Sequence, residues 1–275
     1  MTRPRWITQF ASRDGSTVVE IPRGVYEWES SQALRTAVVP ALGSAYGVDL
    51  LGNIPAPVGV ATERIRGLIV ASDSADLDAR VSALRAQLQG IGSGHLRATD
   101  GEGGYRWARA RLASMPDVSI TYEMRRHAPV VCEFTRYSDW LASSPTVVSN
   151  TLSGSPATVN VENTGDADAR EMVIEIRALG ASGFSAPTIT NEMTGETLSS
   201  DRVASSSNHR LRFDCGRYAA ERSINAGSSW ANDYSHFTTG ATQVGFMRLI
   251  PGSQPITITG CPNATVVITF YPAWR

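Results

Sequence analysis

The groups in this chain able to do covalent or metal chemistry are few: four histidines, His95, His127, His209 and His236, and three cysteines, Cys132, Cys215 and Cys261. No two histidines stand at a metal-ligand spacing such as H-x-x-x-H, and each lies beside turn residues or polar clusters, as surface histidines do. The cysteines are too few and too scattered for a disulfide framework or a zinc site. Cys132 ends the apolar run Pro-Val-Val-Cys and reads as a small buried hydrophobe. A nucleophile elbow G-x-S-x-G is absent, because Gly92-Ser93-Gly94 closes a helix instead. Asp76 and Asp78 look like paired carboxylates, but the positive end of a helix accounts for both. Gly90, Gly92 and Gly94, and later Gly101, Gly103 and Gly104, are turn glycines. A phosphate loop needs a strand before it and a helix after it, and neither cluster has that order. The residues predict no catalytic, cofactor-binding or metal site.

Groups suited to contact are more plentiful. Arg106, Arg109 and Arg111 concentrate positive charge on one strand around Trp107, with Arg109 and Arg111 on the tryptophan's face and Arg106 on the other. That pattern fits nucleic acid, and it fits a subunit interface with Arg–carboxylate pairs at least as well. Asn208-His209-Arg210 and Trp230 offer the polar and aromatic groups a sugar needs, but in Ser-rich loops that define no known sugar-binding constellation. The formal net charge of −1 gives no bulk reason for binding nucleic acid or an anionic membrane. All 25 basic residues are Arg. Codon usage explains this most simply, although Arg also suits interfaces better than Lys.

The elements that position these groups can be read from periodicity. Leu77, Val81, Leu84 and Leu88 recur at intervals of four, three and four, which predicts an amphipathic helix over 76–89. Ser72, Asp73 or Ser74 can cap its start, and Gly90 sits where a C′ glycine belongs. A single such helix cannot form a core alone and must lie on a sheet. Short strands are predicted at 6–7, 17–21, 25–28 and 62–71. A hairpin follows, from 95–99 through the Asp100-Gly101 turn to 105–115, with further strands at 118–124 and 130–135.

After Trp140 the sequence becomes small, polar and Pro-bearing, which predicts a linker over 143–157 between domains 1–142 and 158–275. Within the second domain, Val159 and Val161 alternate with polar residues. Beyond the turn Asn163-Thr164-Gly165-Asp166, Met172, Ile174 and Ile176 do the same. The turn assigns Gly165 to a positive-φ position. The connection to Arg170 exceeds a tight hairpin, leaving room for the two strands to stand in different sheets. Further strands are predicted at 187–191, 211–214, 219–224, 245–249, 256–259 and 265–271, an antiparallel sandwich. The fold class is therefore an α+β N-terminal domain, a sheet with one amphipathic helix and a hairpin, joined to an all-β C-terminal domain. No apolar leader and no run of 18 apolar residues is present, so a soluble protein from a reducing compartment is expected, without a membrane.

The second half also resembles the distal tail protein family of long-tailed phages. The likeness is carried by Asn163-Thr164-Gly165-Asp166 before the strand 172–177 and by Asn191-Glu192-Met193-Thr194-Gly195-Glu196 before Leu198. Leu211-Arg212-Phe213-Asp214-Cys215, Leu249-Ile250-Pro251-Gly252-Ser253 ahead of Ile256-Thr257-Ile258, and the closing strand 264–271 complete it. In the first half it extends to the helix at 76–89, the hairpin and the aromatic segment Phe134–Trp140. The family often has Asn where this chain has Ser253, and no large inserted sugar-binding domain is present. The resemblance implies a galectin-like C-terminal sandwich and a structural, non-enzymatic role without a cofactor. It further implies a homohexameric ring at the distal end of the virion tail, assembled in the host cytoplasm. Its partners would be the tail tube protein, the tail-tip hub protein and peripheral fibres or receptor-binding proteins, with DNA passing through unrecognised. A carbohydrate-binding virion module is the alternative expectation.

Overall fold

The computed structural model describes residues 6–22, 27–34, 38–40, 47–49, 58–99, 104–118, 126–241, 243 and 246–274. The Asp100-Gly101 turn with Gly103, most of the strand expected at 118–124, and Gly245 lie outside the described residues. The chain divides into two compact units, Met1–Trp140 and Leu141–Arg275. Both are rich in antiparallel sheet, and among the described residues one α-helix is present.

In the first unit seven strands run side by side in the order Val18–Glu20, Trp6–Ser12, Ser93–Thr99, Tyr105–Leu112, His127–Arg136, Val58–Val70 and Glu27–Leu34. This sheet is curled. Phe10 and Phe134 lie on strands three places apart, which in a flat sheet would separate them by about 14 Å. Their ring centroids are 4.9 Å apart. A Cβ added at Gly67 would stand 2.1 Å from the Pro22 carbonyl oxygen, so the strand near one edge closes on the chain leaving the other. The helix Ser74–Ile91 lies against Trp6–Ser12, Val18–Glu20 and Val58–Val70, plugging the curl. Leu77, Val81, Leu84 and Leu88 are its buried residues, as their spacing predicts. Each removes an apolar side chain from water, worth about 1.5–3 kcal/mol. Asp73 is the N-cap and accepts the Asp76 N–H at 2.9 Å. The helix ends later than expected. Gly90 is still helical, and Gly92, at φ 60°, turns the chain out of the helix. The left-handed turn is therefore two residues on, where glycine adopts it without a Cβ clash.

The second unit has two sheets. One runs Thr146–Leu152, Ala264–Phe270, Met172–Ala178, Arg210–Asp214, Ala219–Ser223 and Ala231–Asn232; the other runs Ala157–Asn163, Gly252–Thr259, Thr188–Asn191, Thr197–Ser200 and Phe237–Thr239. The strands flanking the Asn163 turn do stand in different sheets. Alternate residues form the core, with Ile174, Ile176, Phe213, Val266 and Ile268 buried from one sheet and Val161, Ile189, Leu198 and Ile258 from the other. Phe213 and Phe237 meet across the two sheets with ring centroids 5.4 Å apart.

Two sequence expectations need correction here. Within the stretch 143–157 assigned to a linker, Thr146–Leu152 is a strand in continuous register with Ala264–Phe270. The residues expected as a strand at 245–249 form none among those described. Phe246, Met247 and Leu249 are buried, but Leu249 makes only an isolated bridge to Ala169. Apolar content there reflects a loop folded into the core.

Candidate functional site

The reactive side chains are held apart and engaged one by one. His209 is buried and bonded to Ser205, whose N–H lies 3.3 Å from Nδ1. The His236 Nδ1 is 2.9 Å from Asp201 Oδ1, and His127 is exposed at a strand start. All three cysteines are buried. Desolvation pushes the Cys132 and Cys261 thiols up to about 12 and the Cys215 thiol higher still. A thiol so placed carries almost no thiolate near neutral pH. Asp76 accepts from Arg80 Nε at 2.9 Å and from the Ser72 N–H at 2.9 Å, and these bonds, Arg80 foremost, hold its carboxyl at about 2. It closes the helix start, while Asp78 is exposed beside it. Gly94 lies inside a strand, where a Cβ would meet the Ala11 carbonyl oxygen at 1.9 Å. Among the described residues no group of three or more His, Cys, Asp or Glu side chains is placed to hold a metal ion.

The arginine-bearing hairpin builds a contact surface. Register pairs His95 with Arg109, Arg97 with Trp107 and Ser93 with Arg111, so these residues share the face opposite buried Ala108 and Ala110. His95 meets Trp107 edge-on at 4.7 Å, and the Arg97 guanidinium lies 5.4 Å from the Tyr105 ring centroid. Arg13 reaches the same face, donating to Ser93 Oγ at 3.4 Å. Burial first, then Arg109, Arg97 and Arg13, push the His95 pKa down. Half-burial is the main cause of that lowering, and the three guanidiniums add a positive field over an aromatic floor. Below this face, Arg136 donates from Nε to Glu63 at 2.6 Å and from Nη1 to the Ser138 carbonyl at 2.6 Å. Both charged side chains are almost wholly buried, at 3 % and 0 % exposure. The pair fixes the chain beside the hairpin.

In the second unit the residues considered for sugar binding are only partly brought together. His209 turns into the core, whereas Arg210 and Arg212 lie on the outer face. Arg210 Nη1 donates to Glu175 at 3.2 Å, Arg212 Nε donates to Glu221 at 2.6 Å, and the Arg212 guanidinium lies 4.2 Å from the Trp230 ring centroid. The aromatic ring is thus stacked against an arginine, and the charges pair with one another.

Sequence reasoning missed the polar clasp at one end of the sandwich. Buried Asn163 donates to the carbonyls of Ala167 (2.8 Å) and Leu249 (3.0 Å). Buried Asn191 donates to the Arg248 carbonyl at 3.0 Å and to Gln254 Oε1 at 2.8 Å. Arg248 itself bonds Glu196 at 3.1 Å and Asp168 at 2.8 Å. These groups tie three loops that strand periodicity cannot place. The signal available was an Asn ending each strand, followed directly by Thr-Gly at Asn163 and after two residues by Thr-Gly at Asn191.

The described residues thus combine a β-rich fold, buried thiols and a charged aromatic sheet face. No protein-family model and no curated protein matches the chain. Among solved structures it is similar to the Dit (gp 19.1) protein of phage SPP1, described as a paradigm of the hub adsorption apparatus in phages infecting Gram-positive hosts. The identity is 14 % and the TM-score 0.55, over 90 % of this chain and 89 % of that one. Looser likenesses are to a chain of the phage p2 baseplate in its activated conformation with Sr (10 % identity, TM-score 0.45, 97 % and 98 % covered) and to one in the tail of an empty gene transfer agent particle (16 %, 0.30, 50 % and 96 %). The likeness to the SPP1 protein is a shared fold.

Proposed function

We propose that this chain is a structural protein of a long-tailed phage tail tip, located at the distal end of the virion tail. An α+β N-terminal domain closes into a six-membered ring between the tail tube and the tip hub. A galectin-like C-terminal domain offers peripheral attachment for fibres or receptor-binding proteins, and no substrate is turned over. The observation carrying this reading is the fold shared with the SPP1 hub protein across 90 % of the chain. Ring closure needs two different patches, since each subunit meets its neighbour head to tail. The positive, aromatic face around His95, Trp107 and Arg109 supports one such patch, because Arg and aromatic residues are enriched at interfaces. Electron microscopy of the purified chain, with antibody labelling of virions, tests the proposal. Rings of six with label at the tail's free end are expected. Single particles at high concentration, or a protein absent from virions, would overturn it.

A further inference from the structure

The two sides of the C-terminal sandwich are finished differently. On one side the outermost strands are Ala231–Asn232 and Phe237–Thr239, two and three residues long. The loop beside them is fixed by the ion pair of Arg202 with buried Asp233 and by His236 with Asp201. Very short strands and nearby charges are the usual ways a sheet edge is kept from pairing with another chain. On the other side the outermost strands are Thr146–Leu152 and Ala157–Asn163, seven residues each, lying against one another. Among the described residues each is paired along one edge only, with Ala264–Phe270 and Gly252–Thr259 respectively. Thr146–Leu152 has no charge, no proline and no glycine, and Val147 on it is 57 % exposed. Thr146–Leu152 thus lacks the ordinary protections, and the neighbouring strand carries a single charge, Glu162.

We infer that this side of the sandwich is a pairing surface for a second copy of the same chain, with Thr146–Leu152 of two copies running antiparallel about Ser149. The strand is complementary to itself in that register. Val147 faces the partner's Thr151, Val148 faces the partner's Asn150, and Ser149 faces the partner's Ser149, so every pair is free of like charge. The neighbouring strand behaves the same way about Asn160, with Glu162 opposite the partner's Thr158. A two-fold axis at Ser149 lets the sheet that ends in Thr146–Leu152 continue from copy to copy. The contact is isologous and closes at two copies, so it does not compete with the head-to-tail contacts of a ring.

Cysteine placed at the axis reads this register directly, and the three native cysteines are buried. Under mild oxidation Ser149→Cys should give a covalent dimer and nothing larger on a non-reducing denaturing gel. Directly opposed residues of antiparallel strands stand within disulfide reach. Thr151→Cys, displaced from its own copy by four residues, should cross-link about tenfold more slowly. The pair Val147→Cys with Thr151→Cys should link as well as Ser149→Cys, which guards against a local effect at Ser149. Added to Ser149→Cys, Val147→Lys with Thr151→Lys sets like charges opposite and should abolish the dimer, whereas Val147→Lys with Thr151→Glu should keep it. Equal cross-linking at 149 and 151, a monomer in every variant, or indifference to the lysine pair would each overturn the inference. The gel reads two-fold pairing whether or not rings are seen by microscopy, so the two proposals fail separately.

Discussion

Gly165→Ala is the sharpest single test of how the second unit is built. The sequence gives Gly165 to a positive-φ turn, but Gly165 is not among the glycines with positive φ. Its requirement is space. A Cβ there would stand 1.8 Å from the Ala273 carbonyl oxygen and 2.7 Å from that residue's nitrogen and carbonyl carbon, where real Cβ contacts essentially never fall below 3.0 Å. The obstacle is backbone and cannot rotate away. Ala273 is buried, and its carbonyl accepts the Ala167 N–H at 3.1 Å, so moving it also strains that bond. Overpacking costs about 1–3 kcal/mol and a lost hydrogen bond about 1 kcal/mol, so Gly165→Ala should destabilise the unit by roughly 2–4 kcal/mol. Urea unfolding followed through the C-terminal transition measures this as a lower midpoint at unchanged slope. Gly154→Ala, with open space around it, should be silent. Gly195, at φ 69° with nothing nearby, supplies the contrasting case. Asparagine should be tolerated at 195, where only conformation matters, and not at 165, where any Cβ collides. A Gly165→Ala midpoint indistinguishable from that of Gly154→Ala would refute the close approach of residues 165 and 273.

Arg136→Met should cost about 3–5 kcal/mol by leaving Glu63 buried beside an apolar side chain, and Arg136→Met with Glu63→Met should recover most of that loss in a double-mutant cycle. Because the native pKa of His95 lies below its ordinary 6.5, the folded state resists the proton that the unfolded state accepts. This contribution to stability is complete above pH 6.5 and declines as pH falls below it. Arg109→Gln should raise the His95 pKa, read from its imidazole resonances in an NMR titration, and flatten that decline. An unchanged pKa would mean that Arg109 does not face the ring.

What was legible in the sequence follows from how completely an element is buried on one side. The helix showed itself through Leu77, Val81, Leu84 and Leu88 because its other face is water, so apolar and polar residues separate cleanly. Met172–Ala178 and Ala264–Phe270 did the same with a period of two, one face in the core. Thr146–Leu152 escaped because it is an edge, with only Leu152 fully buried, so no period is imposed on it. The opposite error came from Phe246, Met247 and Leu249, buried residues of a loop held down by Arg248, Asn163 and Asn191. Strand periodicity reports burial, and burial has more than one cause.

The same reasoning explains why no functional motif stands out. A catalytic site must hold a few unusual side chains at fixed spacing, and such constellations leave a mark in sequence. Here the thiols are raised to about 12 or beyond by burial, and His209 and His236 each have a local partner. Among the described residues, a sheet face of arginines and aromatics and a sheet edge of uncharged residues offer contact surfaces. An edge recognises through N–H and C=O groups that every residue carries, so its selectivity lies in the absence of charge and proline over seven positions. That is why the stretch most exposed to another chain reads, in one dimension, as a linker.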